Sequence, residues 1–245
     1  MEHTSAPAAR LGLLGDFALT FAGEELPVAA PAQRLLALLA VCHRERPVGR
    51  AALAERLWPD AAPGRATSTL RSVLWRLPRP RGRVLVIGTA TQVRLSPDLR
   101  VDVWDGEELA GQLCGPETPS VELLADLGPL TRDLLPSWHE EWLPVEQESY
   151  RQQRLHALER CAHALLERER FNDALAAGLG AVRSEPLRES AHRRVIEVHL
   201  AEGNHAEALR QYDSYRRLLA RELGISPSPA IRRLLAPLLG RPIDA

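Results

Sequence analysis

Apolar residues recur at two different periods along this chain, and the change of period divides it. In the first thirty residues they come in short runs. Leu11, Leu13 and Leu14, then Phe17, Leu19 and Phe21, read as strands broken at Gly15-Asp16, and a turn at Gly23-Glu24 leads to Leu26 and Val28. Pro31 then opens a helix, since a first helical turn accommodates proline. Leu35, Leu38, Leu39 and Cys42 form its apolar stripe and Pro47 closes it. A second short helix, Arg50 to Leu57, buries Leu53 and Leu57 and stops at Pro59. A third runs from about Arg65 to Leu77, between Pro63-Gly64 and Pro78. After a turn rich in proline and arginine, VLVIG and TQVRL are two β-branched runs around Gly88-Thr89-Ala90, which predicts a hairpin. Strands, three helices and a terminal hairpin are the element order of a winged helix-turn-helix preceded by a small β-sheet.

From Val101 the period is helical throughout. WDGEELAGQL starts one helix, SVELLADLG reads as a short one, and a tight turn around Trp138 and Trp142 leads into a long amphipathic helix reaching LLERER. The two tryptophans, four residues apart, are expected to cap a helical core. A repeat follows. Ala174 and Leu175 stand 34 residues before Ala208 and Leu209, and Leu166 stands 34 before Leu200. That is the helix–turn–helix period of tetratricopeptide repeats, in which small alanines let paired helices approach. The expected architecture is therefore α+β, with a winged-helix domain over residues 1–98 and an all-α, tetratricopeptide-like domain over 99–245.

Charge sharpens the division. Net charge is −1, yet residues 1–100 hold 14 Arg against 8 acidic residues, and residues 101–245 hold 17 Arg against 24. Between 61 and 100 there are 8 Arg and a single acid, Asp98. A basic front and an acidic back predict that the front meets a polyanion. All of this positive charge is arginine; the chain contains no lysine. Aromatic residues make up only 4 % of it, leaving Leu, Val and Ala to fill the cores.

The third helix carries the candidate chemistry. Leu70, Leu74 and Leu77 form an inward stripe, and Arg65, Ser68, Thr69, Ser72 and Arg76 an outward one, with no acid and no large apolar group. Arginine bridges the two acceptors of guanine or clamps a phosphate, and hydroxyls bond to either. Such a helix fits a major groove. An ordinary solvated face mixes both signs, so the missing acids favour DNA. Arg71 and Trp75 lie beside the stripe, Arg71 within reach of the backbone and Trp75 able to pack on sugar or on the hairpin. Arg79 and Arg81 in the turn, with Thr91 and Arg94 on the hairpin, are expected along phosphates and the minor groove.

No catalytic constellation accompanies this. The eight histidines include no HExxH, His192 and His199 are spaced as surface or core residues, and there is no phosphate-loop lysine or nucleophile elbow. No metal and no cofactor is expected. Cys42, Cys114 and Cys161 are scattered and odd in number, which fits small buried apolar residues in a reducing cytoplasm. No run of 18 apolar residues exists, and MEHTSAPAAR has no secretion-signal pattern.

RATSTLRSVLWRL followed by a hairpin and VDVW, together with DLLPSWHEEWLPVEQ, ALERCAHALLERERFNDAL and HLAEGNHAEALRQYDSYRRLLARELGISPSP, resembles the SARP family of pathway-specific activators of antibiotic biosynthesis. The resemblance covers about residues 10–240 and implies a response-regulator-type winged helix joined to a bacterial transcriptional activation domain. It implies binding of double-stranded promoter DNA at direct repeats, self-association there and contact with RNA polymerase. Larger relatives append a nucleotide-binding module; neither that module nor a receiver domain ahead of the DNA-binding half is expected here. One departure stands out: Pro78 cuts the DNA helix where the family usually continues it into a basic run. The alternative the residues leave open is a protein-interaction adaptor whose winged helix is a degenerate scaffold.

Overall fold

The computed structural model describes residues 9–44 and 46–239, so the N-terminal segment on which the secretion-signal expectation rests, with His3, lies outside the described residues. The elements are β1 (Ala9–Gly12), β2 (Ala18–Phe21), β3 (Glu24–Glu25), α1 (Ala30–Cys42), β4 (Val48–Gly49), α2 (Arg50–Leu57), α3 (Pro63–Arg76), β5 (Val86–Gly88), β6 (Gln92–Leu95), β7 (Arg100–Val101) and α4 (Asp102–Leu113), followed by α5 (Leu143–Leu166), α6 (Phe171–Ser184), α7 (Glu189–Ala201), α8 (His205–Leu223) and α9 (Pro229–Leu239). The fold is mixed α+β, mostly helical with two small sheets. It divides into two compact units. One reaches to Asp105 and takes in Arg132–Ser149; the other comprises Gly106–Thr131 and the residues from Tyr150 on.

In the first unit a four-stranded sheet has the order β3-β2-β1-β7. β1 and β2 pair antiparallel, Leu11 opposite Leu19, and both leucines are buried while Arg10 points out. β7 runs parallel to β1, with Leu11 opposite Val101. Asp102 follows, and its carboxylate accepts from the backbone N–H groups of Leu13 at 2.7 Å and Leu14 at 3.1 Å, satisfying the chain as it leaves the sheet. The segment 132–149 joins this unit through Leu13 and Leu14: Leu135 N–H donates to Leu13 C=O, and Leu14 bridges to Leu134. Trp138 stacks on Phe17 and Trp142 is buried, so the two tryptophans pack here rather than cap the helical core. α1 is buried almost all round at Leu35, Leu36, Ala37, Leu38, Leu39 and Ala40, more than one stripe. The second sheet, β4-β6-β5, sets the hairpin expected at 84–95 against Val48–Gly49.

The second unit realises the 34-residue period. Ala174 and Ala208 both have no exposed surface, and Leu166 and Leu200 are both half-buried. The connecting turns match too: Glu169 and Gly203, 34 residues apart, both take positive φ, 55° and 81°. At Gly178 a Cβ would sit 3.1 Å from Val195 Cγ2, so glycine there allows α6 and α7 to approach. One core gathers Leu155, Leu158, Cys161, Leu165, Ala177 and Val198. A second gathers Ile196, Tyr212, Tyr215, Leu219, Ile231 and Leu235.

Some expectations fail. Residues 121–125 form turns, not a helix, and a 3-10 turn follows at Gly128–Thr131. Side chains capture the backbone donors, Ser120 Oγ from Leu123 and Asp126 Oδ1 from Gly128, and Pro129 disfavours helix at the residue before it. Cys161 is buried as expected, but Cys42 is half-buried and Cys114 is exposed near the end of α4. His192 is a core residue: Gln211 Nε2 donates to its Nδ1, its Nε2–H donates to Pro186 C=O, and the ring stacks on Tyr215 at 4.2 Å.

Two consequences can be measured. Ala208→Leu, which adds bulk to a helix contact with no exposed surface, should cost about 1–3 kcal/mol in urea unfolding. Burial lowers the His192 pKa below its ordinary 6.5, so the unfolded chain binds the proton more readily. Its contribution is therefore complete above pH 6.5 and is lost as pH falls below it. Thermal unfolding should show this slope, and His192→Gln should flatten it.

Candidate nucleic-acid interface

α3 is built from its ends inward. Pro63 stands in its first turn, and Leu77 takes φ −58° and ψ 137°, the extended conformation that Pro78 demands of the residue before it. Four buried positions, Ala66, Leu70, Val73 and Leu77, repeat at helical spacing. They pack in the same unit as Leu53, Ala54 and Leu57 of α2, the helix against which α3 makes its most extensive contact. Val73 belongs to this stripe, whereas Leu74, expected inside, is only half-buried. The cause is angular: residues 66, 70, 73 and 77 share one line on a 3.6-residue helix, and 74 falls to its side.

The opposite face is exposed at Ser68, Arg71, Ser72, Trp75 and Arg76, and the helix contains no acid. Arg71 and Arg76 make no ion pair among the described residues. Thr69 is half-buried at the edge of the face. Its Oγ1 donates to Arg65 C=O at 2.9 Å, and Ser72 Oγ donates to Ser68 C=O at 3.1 Å, so both hydroxyl protons are engaged and the oxygens present lone pairs outward. Arg65 is exposed but sits apart, in a cleft of about 530 Å³ also lined by Arg34, Arg56, Trp58 and Trp142. Trp75 is 78 % exposed, so it rests on neither the hairpin nor any other element.

The turn and hairpin place the remaining residues unevenly. Arg79 is exposed. Arg81 takes φ 47° and turns back over the Phe21 ring, 5.8 Å from its centre, toward the four-stranded sheet. On β6, Arg94 is exposed between buried Val93 and Leu95, opposite Ile87 of β5. Thr91 is exposed at the tip, and its carbonyl accepts from the backbone N–H of Arg50 at 2.8 Å. Arg50, expected from sequence only as the start of a helix, also belongs here. It begins α2, its Nε donates to Thr89 C=O at 3.0 Å, and it shares a cleft of about 390 Å³ with Arg71, Thr67 and Thr91. Only the pairing of β4 with β6 brings it there, and a two-residue strand leaves no pattern in sequence. α3, the start of α2 and the hairpin tip thus meet at a cleft that carries Arg50, Arg71 and Thr91, with Ser72 and Arg76 exposed farther round α3, while Arg65 lines a different cleft and Arg81 covers Phe21. Among the described residues no group of three His, Cys, Asp or Glu side chains is set to hold a metal, and no helix is long and apolar enough to cross a membrane.

Comparison with known proteins gives three findings. The bacterial transcriptional activator domain matches residues 101–239. The regulatory protein AfsR of Streptomyces coelicolor is 26 % identical over 243 residues, 95 % of this chain and 24 % of AfsR. The transcriptional regulatory protein EmbR of Mycobacterium tuberculosis is 27 % identical over 252 residues, 96 % of this chain and 64 % of EmbR. The chain therefore spans about a quarter of AfsR and a little under two thirds of EmbR. A solved structure of Mycobacterium tuberculosis EmbR in complex with a low-affinity phosphopeptide has the same fold, with a TM-score of 0.70 at 23 % identity over 97 % of this chain and 67 % of that one.

The two faces of α3 predict opposite responses. Leu70→Ala should cost about 2–5 kcal/mol in urea unfolding, through lost burial and a cavity. Ser68→Ala and Arg71→Ala should stay within about 0.5 kcal/mol of the parent.

Proposed function

The chain belongs to the bacterial transcriptional activator domain family, with SARP-type regulators among its relatives, and we propose that it is a sequence-specific DNA-binding activator. In this reading residues 1–98 are a winged helix and α3 is its recognition helix, lying in the major groove of promoter DNA. Arg71, Ser72 and Arg76 supply contacts to bases and phosphates; Ser68 and Thr69 border them, and Arg65 and Arg79 lie at the ends. The β5–β6 hairpin is the wing, with Thr91 and Arg94 beside the backbone. Residues 99–245 bridge neighbouring copies or hold RNA polymerase. Copies on direct repeats about 10–11 bp apart would share one side of the duplex. The SARP resemblance extends this to cytoplasmic, pathway-specific control of a secondary-metabolite gene cluster, such as one for an antibiotic.

The observation that carries the reading is the exposed, acid-free α3 face with Arg71 and Arg76 unpaired. Free guanidinium groups on a rigid helix meet phosphate and guanine acceptors with little rearrangement. Arg81 is left out, since it is engaged with Phe21.

The test is retardation of promoter fragments by the full chain. Arg71→Ala and Arg76→Ala should each weaken binding by about 1–3 kcal/mol where the side chain reads a base. For about six phosphate contacts, log K should fall with log salt at a slope of about −5. Unchanged affinity in both variants, or a flat salt dependence, would reject the placement of α3.

A further inference from the structure

One residue of the proposed DNA-facing surface does not fit a purely polar contact. Trp75 is 78 % exposed, more than any other large apolar side chain among the described residues. At about 100° per residue, the buried side chains of Ala66, Leu70, Val73 and Leu77 share one mean direction, and Trp75 points about 170° away from it. Ser68, one side of the same line, lies about two turns nearer the helix start. Arg71 lies about 40° to one side of this line and Arg76 about 100° to the other. Whatever α3 lies against, Trp75 meets first, with a guanidinium to either side.

The surroundings identify that occupant. An apolar protein surface docking on Trp75 would bury Arg71 and Arg76 against it without acceptors, at a cost that such interfaces avoid. A polyanion pairs both while leaving the indole over its base edges. In the major groove the one apolar group that marks sequence is the C5-methyl of thymine. Resting on the proposed DNA-binding function, we infer that Trp75 is a specificity residue that packs its indole on a thymine methyl group, while Arg71 and Arg76 hold the flanking backbone or guanine. The indole replaces water on that methyl, so recognition comes from burial, not from a hydrogen bond.

Duplexes selected from a randomised pool by retardation with the full chain supply the probe. Each thymine of the selected site is then replaced singly by deoxyuridine, which removes only the methyl group. The parent protein should lose about fourfold in affinity at one thymine per bound copy, the effect of one buried methyl, and be indifferent elsewhere. Trp75→Ala should bind thymine and deoxyuridine equally at that position, and Trp75→Phe should keep part of the preference. Retardation with no deoxyuridine-sensitive position, or with a sensitivity that survives Trp75→Ala, overturns this inference and leaves the DNA-binding reading standing. Absence of any retardation overturns both. The deoxyuridine scan on the parent protein needs no variant, so a folding defect in a Trp75 substitution does not obscure it.

Discussion

The surface of the first unit depends on how α3 is seated. Four small-to-medium apolar side chains, Ala66, Leu70, Val73 and Leu77, fix its rotation about its own axis, because burying any neighbouring line instead would bring Arg71 or Arg76 into the core. Burial of an unpaired guanidinium costs far more than the stripe gains. The constraint is therefore two-sided: the apolar line pulls inward and the charged line is held out. Ala66 adds closeness, since a methyl at the contact allows α2 and α3 to approach further than Leu would. With the rotation fixed, the outward residues acquire fixed directions, and with them any role in recognition.

Much of this was legible in sequence, and the reason is periodicity. α2 begins at Arg50 and ends at Leu57 as Pro59 and the leucine spacing imply, and the hairpin lies where two β-branched runs flank a small turn. The alanine register at 174 and 208 predicted the helical pairs of the second unit, and even the left-handed turn positions repeat. What periodicity misses is pairing. β4 and β7 are two residues long, and each exists only because a distant strand lies beside it. Arg50 reads as a helix start and no more for that reason: its position beside Thr89 and Thr91 is a property of β4 meeting β6.

The candidate site was partly legible for a related reason. A helix wheel separates inside from outside, so Arg65, Ser68, Thr69, Ser72 and Arg76 emerge from sequence as one face, with Arg71 beside it. It does not say what lies beyond the helix ends. Arg65 and Arg81 look equivalent to Arg76 in composition, yet one borders a cleft facing Glu140 and the other covers Phe21. Leu74 shows the same limit within the helix, since a leucine one position off the buried line reads as core until Val73 is seen to occupy it. The SVELLADLG segment failed through side-chain competition: Ser120 and Asp126 offer the backbone local partners that a helix would have to displace.

The cations of the exposed helix face are all arginine, in a chain without lysine. Lysine acylation, a common covalent way of erasing positive charge from a protein, finds no side chain to modify. A cell that needed to release such a surface from a polyanion would have to act through ions in solution, through competing partners, or through the abundance of the protein itself.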